Sequence, residues 1–353
     1  MLERDDIELG FKPLLNSQAD FILELSLIQA KYIQLVLSEE FTKAQAIRVT
    51  QADILALAKK QNIATTKLFR ETLAPMIETN INQQLTLLSA AKKAGTLKGA
   101  LPGAVTLEKA LTREISASLL LYLKQNTDRV AKYAGNKATS LIDEAVKRKL
   151  SGETMEKITA DIARQIRDTR TTIRLPSGAK IHDNVAYVRR HLVSQVSIAS
   201  AQQQIELMDD LDIDEDKKWW ETSSHWGARP EHEPWQGKIF KSFAELVDAT
   251  DYGDVAGLCG VNCRHTFYPF IDGVSTQRFF PKPTKENNKK YADMQRQRAI
   301  ESNIRKWKLE SEVNSALGVD SSRADAKVKE WQAEMRKHIK DTGLTRQYAR
   351  EQV

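Results

Sequence analysis

Apolar side chains recur every three or four residues through most of the first two hundred positions, the spacing that gathers them on one face of a helix. Phe21, Ile22, Leu25, Ile28, Tyr32, Leu35 and Val36 make one such face, with Asn16, Ser17 or Asp20 as N-cap candidates. Ile54, Leu57, Ala58, Leu68, Leu73, Ile77, Ile81, Leu85 and Leu88 continue the pattern. A break is expected near Asn62, and Pro75 should kink or restart the helix because it has no N–H to return to the carbonyl four residues back. The stretch from Gly95 to Gly103 reads as a linker. Beyond it, helices are expected over 107–124, 128–150 and 154–170, with Ser151-Gly152-Glu153-Thr154 as a stop followed by a fresh N-cap. Residues 171–181 read as two short strand pieces around Pro176-Ser177-Gly178, and 184–210 as a long helix.

After the acidic run Asp209 to Asp216 the texture changes to aromatic, Gly-rich and loop-like. Lys218 to Thr222, Lys238 to Phe240 and His265 to Phe270 are β-prone, and Phe243 to Ala249 supplies one helix, so an α+β module is expected here. Pro281-Lys282-Pro283 marks its exit, and helix returns over 287–317 and 321–339. The fold class is therefore mainly α: an elongated helical N-terminal half, a small α+β module with short strands near 217–275, and a helical C-terminal tail. The expected divisions are 1–94, 104–216, 217–280 and 284–353.

A chain of 353 residues, 41 % apolar, is long enough to fill about two or three cores. No run approaches the roughly 18 apolar residues of a membrane-spanning helix. Met1 to Asp6 is charged where a signal peptide carries its apolar stretch, so a soluble protein that stays in the cytoplasm where it is made is expected. Two Cys separated by three residues make no disulfide framework. The net charge of +6 resides in the tail, where Arg278 to Val353 holds 18 Lys and Arg against 11 Asp and Glu. Arg296, Arg298, Arg305, Lys306, Arg336, Lys337, Arg346 and Arg350 are candidates for meeting an anionic polymer or an acidic protein face without sequence specificity. The plainer reading of the same residues is a solvated helix surface.

Three of the six His, both Cys and three of the six Trp fall between Trp220 and His265. Imidazole and thiolate together suit zinc, and Cys259, Cys263, His265, His232 and His225 offer five candidates for a four-coordinate site. By spacing, only Cys259 and Cys263 match the turn-borne ligand pairs of structural zinc sites. The other reading has no cofactor: both Cys are small buried apolar groups, while His and Trp bridge loops by hydrogen bonds and stacking. A catalytic reading also exists, with Cys263 and a neighbouring His as a thiolate pair, or a His/Asn/His set around Asn262 activating a metal-bound water. No cysteine-hydrolase residue order, recognisable acidic ligand spacing or phosphate-cradling loop accompanies it. A structural role is expected, with a metal-dependent nuclease or thiol hydrolase as the alternative.

The string His225-x-Gly227-Ala228-Arg229-Pro230-x-His232-x-x-Trp235-Gln236-Gly237-Lys238, followed by Tyr252-Gly253, Gly257-Leu258-Cys259-Gly260-x-Asn262-Cys263-Arg264-His265 and Pro269-Phe270, resembles the signature of the phage minor capsid protein 2 family. That family is related in character to head morphogenesis proteins of the phage Mu protein F type. Arg189-Arg190 to Gln195, Lys329-x-Trp331-Gln332 and Thr342-Gly343-Leu344 to Glu351 are similar to its flanking helices, so the likeness covers about residue 150 to the end. The resemblance implies a virion component present in few copies, inside the head near the portal, acting in head assembly or genome delivery. Its partners would be the portal or major capsid protein, with packaged DNA meeting the basic tail non-specifically, and no membrane. Within the signature, Arg229 is a candidate anchor for an acidic partner, and Gly227, Gly237, Gly253 and Gly260 for turns.

Overall fold

The computed structural model of the protein describes residues 4–99, 104–169, 173–174, 180–181, 183–261 and 263–353. The chain opens with helices α1 (Arg4–Gly10), α2 (Lys12–Leu37), α3 (Lys43–Lys93), α4 (Ala104–Leu150) and α5 (Met155–Thr169). A two-residue antiparallel pair, β1 (Ile173–Arg174) with β2 (Lys180–Ile181), precedes α6 (Asn184–Asp210). The module follows as β3 (Lys218–Thr222), β4 (Ile239–Phe240), α7 (Phe243–Thr250) and β5 (Phe267–Ile271), and the tail as α8 (Thr284–Ala316) and α9 (Ser322–Thr342). A mainly helical chain with one small α+β module is thus the fold.

The helices are longer than their punctuation suggested. Asn16, Ser17 and Asp20 lie inside α2 rather than capping it, because the helix starts at Lys12 with Pro13 in its first turn, where a missing N–H costs nothing. Asn62 does not break α3; its amide donates to Asp128 Oδ1 at 2.9 Å and ties α3 to α4. Pro75 also lies within α3, at a cost of about 3 kcal/mol in a helix interior. Burial of Phe69, Leu73, Met76, Ile77 and Ile81 on either side of it offsets that penalty. The expected gap between Lys124 and Asp128 is absent because Asn126 and Thr127 are buried with partners: Asn126 Nδ2 donates to Asn184 Oδ1 at 3.1 Å and Thr127 Oγ1 to the Leu123 carbonyl at 3.1 Å. The stop at Gly152 is real, with φ +80° after the last turn of α4. The Pro176-Ser177-Gly178 turn lies outside the described residues.

The chain forms two compact units, each assembled from three segments, and passes between them at the junction of α1 with α2 and within α3, α4, α6 and α8. One comprises Lys12–Leu68, Tyr122–Val188 and Gln295–Val353. One core cluster joins Ile33, Val36 and Leu37 of α2, Leu141, Ile142 and Ala145 of α4, Ile158, Ile162 and Ile166 of α5, and Leu309 and Val313 of α8. A second cluster joins Phe21, Ile22 and Leu25 to Ile54, Ala58, Val130 and Ala134.

The other unit comprises Met1–Phe11, Phe69–Leu121 and Arg189–Met294 and contains the α+β module. A reciprocal pair of buried amides, Gln84 and Gln203, at 2.5 and 2.9 Å, joins α3 to α6. The three-stranded sheet is antiparallel in the order β4-β3-β5, with Trp220 opposite both Phe240 and Pro269. The Trp220 ring packs edge-on to Phe243 of α7 and Phe267 of β5, which seats that helix on the sheet. On the neighbouring position Glu221 is buried, and its carboxylate accepts the backbone N–H groups of Arg278 and Phe279 at 2.6 and 2.8 Å, fixing the exit towards α8.

Candidate functional site

Ser223, the first residue past β3, ties three strands of chain together. Its N–H donates to the Thr266 carbonyl at 2.9 Å, its carbonyl accepts the Gly237 N–H at 3.2 Å, and its Oγ accepts the Thr266 N–H at 3.1 Å and meets His225 Nε2 at 2.9 Å. Thr222 Oγ1 adds a bond to the Trp235 carbonyl at 2.7 Å. The loop from 223 to 238 is therefore folded back over the start of β5, and its single 3-10 turn, Pro230–His232, delivers His232 to the interior. Gly237 makes the return turn at φ +67°, and an added Cβ there would stand 2.5 Å from the backbone carbon of Phe280.

From the opposite side come Cys263 and His265, two residues apart in the segment leading into β5. His232 and His265 are each 2 % exposed and Cys263 is 7 % exposed. The two Nδ1 atoms lie 3.2 Å apart, and Cys263 Sγ lies 3.7 Å from His232 Nδ1 and 3.8 Å from His265 Nδ1. Trp235 closes the cluster, its ring centroid 4.7 Å from each imidazole. Among the described residues this is the one group of three or more His, Cys, Asp or Glu side chains whose ligating atoms converge. Cys259 is buried beside it, its Sγ 3.8 Å from the His265 carbonyl that Cys263 Sγ meets at 3.6 Å. His225 stands outside the convergent group, its ring 5.2 Å from that of His265. Of the five candidate ligands, His232, Cys263 and His265 are brought together, Cys259 lies buried beside them and His225 stands outside.

The protonation states follow from the outer partners. Gln236 Oε1 accepts the His225 N–H at 3.1 Å, so it is an acceptor, and His265 Nε2, 3.1 Å away, must carry the hydrogen it receives. His265 Nδ1 is left with a lone pair pointing at His232. His232 Nε2 is 2.9 Å from the Ala256 carbonyl, which can only accept, and 2.9 Å from Arg229 Nη2, which can only donate. With its proton on Nε2, His232 presents a second lone pair to the cluster; with its proton on Nδ1, it donates to His265. Burial pushes the pKa of both imidazoles down, that of His265 well below 6.5, and pushes the Cys259 thiol well above 9.0. The histidines are therefore neutral, the form that binds metals.

Arg229 is directed inward, onto His232 and the Ala256 carbonyl, rather than to a carboxylate. Arg264 Nη1 lies 3.7 Å from Met294 Sδ, and Asn262 lies outside the described residues. Asn287, near the start of α8, has a role that no motif signalled. Its Oδ1 accepts the N–H groups of Gly227 and Ala228 at 2.8 and 3.1 Å, and its Nδ2 donates to the Ala228 carbonyl at 3.0 Å and to Glu233 at 2.6 Å. Gln236, within the same string, bridges the loop and the segment leading into β5 through its carboxamide oxygen.

The basic candidates of the tail divide into two kinds. Arg296 pairs with Glu334 at 3.0 Å, Arg305 with Asp183 at 2.8 Å, and Arg346 with the buried Glu351 at 2.6 Å through both nitrogen positions. Arg305 also donates to the Arg350 carbonyl, Arg298 meets Gln295 at 3.4 Å, and the Lys306 ammonium lies 5.9 Å from the Trp307 ring centre. Arg336 and Lys337 are exposed on α9.

Residues 30–340 match the phage minor capsid protein 2 family, and the chain belongs to it. The match reaches well upstream of residue 150, into helices that carry no short motif. Among characterised relatives, a structural protein of Lactococcus phage LL-H is 31 % identical over 142 residues, spanning 36 % of this chain and 38 % of that protein. A structural protein of Lactococcus phage mv4 is 31 % identical over 105 residues, 29 % of this chain and 85 % of that protein. No solved structure matches the chain significantly. The protein is a phage minor capsid protein, a structural component of the virion, and no helix among its described residues is long and apolar enough to cross a membrane.

Proposed function

We propose that this minor capsid protein lies inside the head near the portal and acts there in head assembly or genome delivery, through contacts with the portal or major capsid protein rather than through catalysis. The observation that carries the non-catalytic part is burial. Reactive cysteines sit in partly exposed, electropositive surroundings, whereas Cys263, His232 and His265 are enclosed by Trp235 and two folded-back loops. A nuclease or thiol hydrolase needs its nucleophile or metal-bound water to meet substrate, and this arrangement turns all three donor atoms on one another. The interior position is supported by membership of the family and by the exposed cations of α9, which suit a compartment crowded with phosphate.

Cross-linking of intact virions followed by peptide mapping tests the placement. Cross-links from this chain to portal or major capsid protein are expected; cross-links confined to tail or external proteins would overturn it. For the catalytic alternative, the full chain is expected to show no turnover of DNA or thioester substrates above that of a Cys263→Ala, His232→Ala double variant.

A further inference from the structure

We propose that His232 Nδ1, His265 Nδ1 and the thiolates of Cys263 and Cys259 bind one zinc ion, which fastens the 223–238 loop to the segment leading into β5.

Three donor atoms already converge without any rearrangement, two nitrogens and one sulfur mutually within 4.8 Å. The outer partners are those a metal-bound histidine requires. The Gln236 carboxamide oxygen holds the far nitrogen of His265 and the Ala256 carbonyl that of His232, so each ring is oriented with Nδ1 inward. Two inward lone pairs 3.2 Å apart repel unless a proton or a cation lies between them. An Nε2 proton on His232 satisfies the Ala256 carbonyl, Arg229 Nη2 then donating to that carbonyl, 3.4 Å away, rather than to the ring, and that tautomer makes both rings ligands at once.

Cys259, whose sulfur lies outside the convergent three and would have to turn toward them, is assigned as the fourth ligand for three reasons. It is 4 % exposed in the same enclosure, so solvent has no ready path to fill the position. Its sulfur meets the same carbonyl oxygen as that of Cys263. Its backbone adopts φ +60°, a conformation that a non-glycine residue holds only when its surroundings demand it. On binding, each thiol loses its proton to solvent as its Zn–S bond forms, and two thiolates cancel the charge of the ion. A neutral two-His, two-Cys centre is the composition that a dry interior tolerates, and the borderline-soft donors select zinc over magnesium or calcium.

The full chain, purified without chelator, is expected to contain one zinc per molecule by elemental analysis, and stripping the metal should lower Tm by about 10 °C or more. Cobalt substitution reads the ligands directly. A tetrahedral d–d spectrum with a thiolate charge-transfer band is expected, and Cys259→Ser should halve that band while Cys263→Ser does likewise. A protein that stays metal-free in zinc buffer, with Tm unchanged by chelator, would overturn the site and leave a His232-to-His265 hydrogen bond in its place. A cobalt band unchanged in Cys259→Ser would overturn the fourth ligand. If the serine variants fail to fold, the wild-type cobalt spectrum decides between one thiolate and two by its intensity.

Discussion

Asn287 uses every hydrogen-bonding site of its amide on the signature loop: two backbone donors, one backbone carbonyl and one carboxylate. Replacing it by Ala leaves the Gly227 and Ala228 N–H groups buried without an acceptor, at about 1–3 kcal/mol each before relaxation. Urea denaturation of Asn287→Ala is expected to show a loss of at least about 2 kcal/mol, whereas Asn288→Ala, exposed on the same helix, should change little. Glycines held at positive φ can be ranked the same way. Gly95 has φ +74° with open space around it, so Gly95→Ala should cost only the left-handed penalty of about 1 kcal/mol. Gly237→Ala adds a backbone collision at Phe280 and should cost more than twice as much in the same measurement. At this scale the sequence marked Gly237 as a turn residue and His232, Cys263 and His265 as donors, because rare residue types stand out in any string. It could not mark Asn287, since a polar residue in the first turn of a helix is unremarkable until its partner, some sixty positions away in the chain, is known.

Elements were legible in type and misjudged in length. The α+β module followed from β-prone runs, and β3 occupies the residues expected of it, Lys218 to Thr222. The breaks expected near Asn62 and at 124–128 are absent because local propensity is weak against burial on both sides of a doubtful residue. What does end α4 is also held electrostatically. Arg148, in its last turn, donates to Glu153 at 2.5 and 2.8 Å, to Asp161 of α5 at 2.6 Å and to Glu144 at 3.1 Å. The hydrogen bonds from Arg148, reinforced by Lys157, hold Glu153 down at about 2 against an ordinary 4.5, and Arg148 likewise lowers Asp161. Carboxylates depressed in the folded state add stability that is complete above the ordinary carboxylate pKa and is lost as pH falls through the folded value. Thermal melting of the wild type should therefore weaken progressively between about pH 4.5 and pH 2. Arg148→Met should lower Tm at pH 7 and flatten that acid limb; equal acid limbs in the two proteins would mean that the cluster adds nothing to the α4–α5 junction.

At the scale of the molecule, a formal charge of +6 is a poor guide to how much of the tail can meet DNA. Three of its candidate arginines, Arg296, Arg305 and Arg346, are already paired with Glu334, Asp183 and Glu351. Recruiting Arg346 to a phosphate would strand the buried carboxylate of Glu351, a cost of several kcal/mol that one screened phosphate contact does not offset. Arg336 and Lys337 lie exposed together on α9 and can neutralise phosphates without breaking anything in the fold. Each neutralised phosphate contributes about 0.9 to the slope of log K against log salt. Binding of the full chain to a fluorescent duplex, followed by anisotropy over a salt series, is expected to be weak and indifferent to base sequence. The double variant Arg336→Gln, Lys337→Gln should reduce the slope by about 2 with Tm unchanged. Arg346→Gln should do the reverse, lowering Tm while leaving the slope as it was. Were Arg346→Gln to flatten the slope as well, the ion pair with Glu351 would be open in solution; were neither variant to alter it, the basic surplus of the tail would be helix surface alone.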